Sequence, residues 1–271
     1  MKHISFQGER GAYSEAAATI FFADKIETIP CSTFAEVLKN TEGGRSDYSI
    51  LPIENSLEGS VGESNDLLLG MSLNAMGEIY YRIRHCLIGT GSIGEIDTVY
   101  SHPQALGQCR QFIQEHSLKT IPCYDTAGSV KIISDLNKKN IACIASKRAA
   151  KIYDIPIIQE GIENNQNNYT RFLVFSKIKN DEAKNCKTSI VFSVKHESGA
   201  LYHIINEFYQ YKVNLTKIES RPNKDTPWEY NFYVDFEGHV DNSSIKEMLQ
   251  KLRGNTSFLK ILGSYPIAKL N

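Results

Sequence analysis

Apolar and polar positions follow two different rhythms along this chain, and the change falls near residue 178. In the first part, short apolar runs repeatedly give way to helical stripes. Residues 4–6, 48–53, 97–100, 141–145 and 155–158 read as strands, and 79–88 as a longer extended candidate. Phe34, Val37 and Leu38 recur at helical spacing, as do Leu106, Cys109 and Ile113, and another helix begins at about Ser14. Strands alternating with helices predict an α/β fold with parallel strand pairs. Ligands in such sheets bind outside the carboxyl ends of the strands. Residues 7–14, 54–62, 101–104 and 124–129 follow strands as polar segments, and 170–171 stand at a strand start. Their placement predicts one shared cleft.

Residues 179–187 read as a charged linker. Beyond it Ile190, Phe192 and Val194 alternate as a half-buried strand. Leu201, Ile204, Ile205 and Phe208 then fall at i, i+3, i+4 and i+7, and Ile245, Met248, Leu249 and Leu252 repeat that spacing. Residues 213–219, 230–236 and 258–262 supply three more strands. The order βαββαβ is the ferredoxin-like arrangement.

Composition narrows the function classes. The 271 residues suggest one large or two medium domains. A formal charge of −1 argues against nucleic acid as a principal partner. No apolar run reaches the ~18 residues of a membrane helix, so no membrane partner is expected. The first residues lack an apolar leader, which predicts a cytoplasmic protein. Cys31, Cys86, Cys109, Cys123, Cys143 and Cys186 show no C-x-x-C pair and no zinc-like spacing with histidine. They read as reduced core thiols, with no metal and no cofactor implied.

Candidate chemistry centres on N-N-Y-T-R-F. Thr170 brings a hydroxyl donor, Arg171 a planar fork suited to a carboxylate, and Phe172 an apolar wall or core contact. In L-P-I-E-N-S, Asn55 offers donors and acceptors beside Ser56, with Glu54 and Glu58 nearby. Y-S-H-P-Q-A-L supplies Ser101, with Gln104 and Gln108 on one face of a helix starting at Pro103. Adjacent Ser101 and His102 lack the geometry of a hydrolytic triad, and no G-x-S-x-G elbow occurs. F-Q-G-E-R-G-A-Y-S places Ser14 at a strand-to-helix turn without a dinucleotide fingerprint. Asp125 or Thr126 is expected to cap the next helix.

Taken together, G-x-x-G-A-Y-S, L-P-I-E-N-S, Y-S-H-P-Q-A-L, N-N-Y-T-R-F, G-A-L-Y and E-S-R-P run in order along almost the whole chain. The set resembles the prephenate dehydratase family. The resemblance implies a bilobal catalytic domain of the type II periplasmic-binding-protein kind over residues 1–178. Lobe 1 would take about 1–78 and 163–178, and lobe 2 about 79–162. An ACT regulatory domain would follow over 188–271. No room remains for a fused mutase, so the chain resembles the monofunctional type. The implied reaction is the decarboxylative dehydration of prephenate to phenylpyruvate, a carbon–oxygen lyase reaction driven by aromatisation and needing no redox cofactor.

By the same resemblance Thr170, Asn55, Ser101 and Gln108 are catalytic, and Arg171, Phe172, Ser14, Ser56 and Thr126 bind substrate. Gly199, Ala200, Leu201, Glu219, Ser220, Arg221 and Pro222 would bind L-phenylalanine as an allosteric effector. A homodimer or homotetramer is implied. Arogenate dehydratase is the nearest alternative, and a non-catalytic amino-acid sensor is an alternative of another class.

Overall fold

The computed structural model describes every residue except 24, 225, 227 and 271. The chain divides into two compact units, residues 1–64 with 79–172 and residues 65–78 with 173–271.

In chain order the first half runs β1 (Lys2–Gln7), α1 (Tyr13–Phe22), β2 (Ile26–Cys31), α2 (Phe34–Glu42), β3 (Tyr48–Asn55), β4 (Gly59–Ser60), α3 (Gly62–Gly70) and β5 (Asn74–Arg82). There follow β6 (Cys86–Ile88), β7 (Thr98–Ser101), α4 (Pro103–Gln108), α5 (Arg110–Glu115), β8 (Lys119–Pro122), α6 (Gly128–Leu136), β9 (Ile141–Ala145), α7 (Lys147–Ile152), β10 (Ile157–Glu160) and β11 (Tyr169–Ser176).

The strands of the first half form two sheets. One has the order β2-β1-β3-β11-β5, with β4 paired to β3. The other has the order β10-β6-β9-β7-β8. β1 pairs in parallel with β2 and β3, and β7 with β8 and β9. This is the expected α/β pattern. Strand β9 is buried along its whole length. Its Ala142 and Ile144 enter a core with Phe112 and Ile113, while Ile141, Cys143 and Ala145 enter another with Val130 and Ile133. Helices cover both faces, so the strand reads as a continuous apolar run.

The long extended candidate over 79–88 is two strands rather than one. Residues 83–85 leave the first sheet: the Ile83 N–H donates to the Asn168 carbonyl at 2.7 Å and the His85 N–H to the Glu163 carboxylate at 2.9 Å. This crossing places His85 between the two sheets' strands.

Gly11 fixes a close approach within the unit. Its φ is +94°, and a Cβ there would lie 2.7 Å from Ala149 Cα. Its carbonyl accepts the Ser146 hydroxyl at 2.7 Å, and the same hydroxyl caps α7 through the Ala149 N–H.

The second unit carries β12 (Cys186–Ser193), α8 (Ala200–Gln210), β13 (Leu215–Pro222), β14 (Tyr230–Glu237), α9 (Ser243–Asn255) and β15 (Phe258–Pro266). No helix or strand is assigned over 177–185, and β12 begins inside the stretch expected as linker. The sheet order is β13-β14-β12-β15, all antiparallel, with α8 and α9 packed through Ile204, Phe208, Met248 and Leu252. The topology is the ferredoxin-like βαββαβ read from the sequence.

Residues 65–78 meet polar groups of this sheet. Lys187 Nζ holds the buried Glu78 carboxylate at 2.8 and 3.0 Å. Lys260 Nζ donates to the carbonyls of Leu68, Leu69 and Met71 at the end of α3. Among the described residues, no helix is long and apolar enough to cross a membrane.

Candidate active site

A cleft of about 410 Å³ lies wholly within the first unit. Its lining draws on all five polar segments: Gln7 and Ser14, Asn55, His102 and Gln104, Asp125 and Thr126, and Thr170, with Glu63 just beyond the second. The size suits a small organic acid. Among the described residues that line it there is no lysine and no arginine. Its formally charged lining residues are the carboxylates Glu63 and Asp125, and helix starts supply the opposing positive ends. The cleft is bordered by Ala12, Tyr13 and Ser14 at the start of α1, by Thr33 and Phe34 at the start of α2, and by Thr126 and Ala127 before α6. First-turn N–H groups have no partner inside their own helix and form the positive end of its dipole. Several such ends around one cavity favour an anion.

The caps shape which amides remain open. Thr33 Oγ1 accepts the Glu36 N–H at 3.1 Å, and Asp125 Oδ1 accepts the Gly128 N–H at 2.5 Å. The N-cap of α6 is Ala127, not Asp125 or Thr126 as expected, but the Asp125 carboxylate takes the N–H of the helix's first residue and sits against its positive end. His102 Nδ1 accepts the Gln104 N–H at 3.2 Å and so caps α4. Burial pushes the His102 imidazole below its ordinary value, with Asp125 pulling the other way.

At the floor, Asn55 joins two segments far apart in the chain. Its Nδ2 lies 2.7 Å from Asn168 Oδ1, 3.0 Å from Thr170 Oγ1 and 3.2 Å from the Tyr169 carbonyl. Its Oδ1 accepts the N–H groups of Leu57 and Glu58 at 3.0 and 3.1 Å. Asn168 Nδ2 donates to Gln108 Oε1 at 2.9 Å. Because Asn55 donates to the Thr170 oxygen, the Thr170 hydrogen is left to donate to a bound group.

The model of the family described as prephenate dehydratase matches residues 4–180, which include this whole cleft. The chain belongs to the prephenate dehydratase family. A prephenate dehydratase of Methanocaldococcus jannaschii is 39% identical over 273 residues, covering 98% of each chain. An arogenate dehydratase/prephenate dehydratase 2 of Arabidopsis thaliana is 38% identical over 277 residues, covering 97% of this chain and 72% of its own. Among solved structures, a prephenate dehydratase of Arthrobacter aurescens in complex with L-Phe superposes with a TM-score of 0.89 at 29% identity, over 98% of this chain and 90% of that one.

Against that family background, Asn55, Gln108, Thr170, Phe172, Ser14 and Thr126 all line the cleft. Three expected residues do not. Ser101 is fully buried, and its hydroxyl donates to the Ile144 carbonyl at 2.6 Å, tying β7 to β9. Ser56 donates to the Asn167 carbonyl at 2.9 Å and accepts the Tyr169 N–H at 3.0 Å, so it fastens the turn to β11. Arg171 is 5% exposed, and its guanidinium stands 4.0 Å from Glu54. The reason is strand geometry: Thr170 and Phe172 face the cleft, and successive side chains alternate. A carboxylate anchor at Arg171 is therefore not what the fold presents.

Sequence reading missed His85, Asn168 and Glu63. His85 sits in a break between strands and Asn168 in an asparagine-rich loop, where no periodicity marks either. In the second unit Gly199, at φ +83°, precedes α8, while Glu219 to Pro222 lie on the edge strand β13. Arg221 is held by the Asp66 carboxylate at 3.0 and 3.4 Å, and Lys224 reaches the same group at 2.8 Å. Burial pushes the Asp66 carboxyl up, but the bonds from Lys224 and Arg221 outweigh it and leave it below its ordinary value.

Proposed function

We propose that this chain converts prephenate to phenylpyruvate, releasing carbon dioxide and the ring hydroxyl as hydroxide, which takes a proton from solvent to become water. The observation that carries this reading is the Thr170 hydroxyl, which accepts from Asn55 at 3.0 Å and keeps its own hydrogen for the substrate. Loss of the carboxylate supplies the electron pair that forms the aromatic ring, and the C–O bond to the hydroxyl breaks in the same process. The enzyme's task is to hold two carboxylates and stabilise the departing hydroxide. Thr170 and the Gln108 amide act as donors to it, a transition-state interaction. The amides at the starts of α1 and α2 receive the carboxylates, with Ser14 and Thr126 lining the same cleft. Phe172 packs against the ring.

The second unit serves as the ACT regulatory domain, with L-phenylalanine as effector at the segments around Gly199–Leu201 and Glu219–Pro222. A homodimer or homotetramer in the cytoplasm is the proposed form, with catalytic and regulatory domains over 1–178 and 188–271 and a linker over 179–187.

Arogenate is the second reading. It carries an ammonium where prephenate has a ketone, and Glu63 in the cleft favours such a group. Purified protein incubated with each substrate, with and without phenylalanine, tests both. Phenylpyruvate from prephenate at the higher kcat/KM supports the first reading. Turnover of arogenate alone supports the second, and turnover of neither refutes both.

A further inference from the structure

A side-chain amide in an active site is able to present either its oxygen or its NH2, and here its direction is set from the backbone. The N–H groups of Leu57 and Glu58 only donate, so Asn55 turns Oδ1 toward them at 3.0 and 3.1 Å. Its Nδ2 is thereby directed at Asn168 Oδ1, and Asn168 must offer Nδ2 to Gln108 Oε1 at 2.9 Å. His85 Nε2 meets the same Gln108 oxygen, also at 2.9 Å. With its oxygen taken by two partners, Gln108 has its own NH2 left for the cleft that it lines.

His85 is itself well fixed. It is 2% exposed and its backbone N–H donates to Glu163. Its Nδ1 lies 2.9 Å from the Tyr13 hydroxyl, whose one hydrogen is shared between that nitrogen and the Arg84 carbonyl at 2.7 Å. The Tyr13 ring meets the imidazole edge-on at 5.6 Å. We infer that His85 and Asn168 are positioning residues for the dehydration, holding the Gln108 amide with its NH2 toward the substrate so that it donates alongside Thr170. This rests on the proposed prephenate reading for its catalytic meaning. The orientation itself does not. Turning the Gln108 amide over would set its NH2 against the Asn168 Nδ2 donor inside a buried network, and against His85 as well where Nε2 carries the ring proton.

The first test needs no turnover. The 15N NMR signals of the His85 ring in the intact protein are expected to show a proton on Nε2, and a bare Nε2 with the proton on Nδ1 overturns the proposal. The second test is kinetic. Asn168→Asp replaces the donor with an acceptor, and His85→Leu removes one donor outright. Each is expected to lower kcat on the order of 10- to 100-fold with a smaller change in KM. His85→Gln, which restores an N–H donor, should recover kcat to within about threefold of the parent. Full kcat in Asn168→Asp or His85→Leu, or equal loss in His85→Gln and His85→Leu, refutes the positioning role. If the parent itself fails to turn over prephenate, the functional reading falls and the NMR result still decides the orientation.

Discussion

Asn55 Nδ2 donates to Thr170 Oγ1 across 3.0 Å, joining residues 115 positions apart in the chain. The bond makes the Thr170 oxygen an acceptor from Asn55 and leaves the hydroxyl hydrogen for the donor role proposed above. Asn55→Asp tests this directly. A carboxylate keeps the bonds from Leu57 and Glu58 but cannot donate to Thr170, and it faces the Asn168 oxygen. The expected result is a fall in kcat of about 100-fold with the circular dichroism spectrum retained. Steady-state kinetics on the folded variant checks it.

Arg171 separates a binding role from a structural one. Its burial and its place opposite Thr170 on the strand predict that Arg171→Ala lowers Tm by several degrees, as buried-charge loss does. KM is not expected to rise more than kcat falls. An unchanged Tm with a large rise in KM would return Arg171 to the substrate.

Gly11 carries a backbone that other residues adopt under strain, and a Cβ there would lie 2.7 Å from Ala149 Cα. Gly11→Ala is expected to cost about 1–3 kcal/mol or more. Denaturant unfolding measures it, and a variant as stable as the parent would contradict the packing described.

His85 links stability to pH. Burial pushes its imidazole below the ordinary value of 6.5, against the opposing pull of Gln108 and Glu163. Between 6.5 and the lower folded value the unfolded chain binds a proton that the folded chain does not. Stability is therefore complete above 6.5 and is lost as pH falls through that window. The drop in Tm from about pH 7.5 to about pH 5.5 should be larger in the parent than in His85→Gln. Equal drops would place the titration elsewhere.

Much of this arrangement is legible in the sequence. The i, i+3, i+4, i+7 stripe from Leu201 to Phe208 and the alternation at Ile190, Phe192 and Val194 gave the second unit's topology, because each has one core face. The five polar segments did converge. Legibility failed where pattern carries no information. Period-two alternation on β11 sends Arg171 away from the cleft that Thr170 and Phe172 face, although a motif reads all three as one group. Ser101 ends β7 with its hydroxyl turned to a neighbouring strand for the same reason. His85 was hidden inside a long extended stretch that breaks between two sheets, and Asn168 in a loop whose asparagines carry no distinguishing pattern. The short polar strand β8 offers no apolar face, so no rhythm announced it.

The most direct measurement is the rate of phenylpyruvate formation from prephenate by the parent, Thr170→Ser and Thr170→Val. Turnover by the parent is expected, with activity within about tenfold in Thr170→Ser and a loss of about 100-fold or more in kcat in Thr170→Val with little change in KM. Parent-like kcat in Thr170→Val would contradict the donor role.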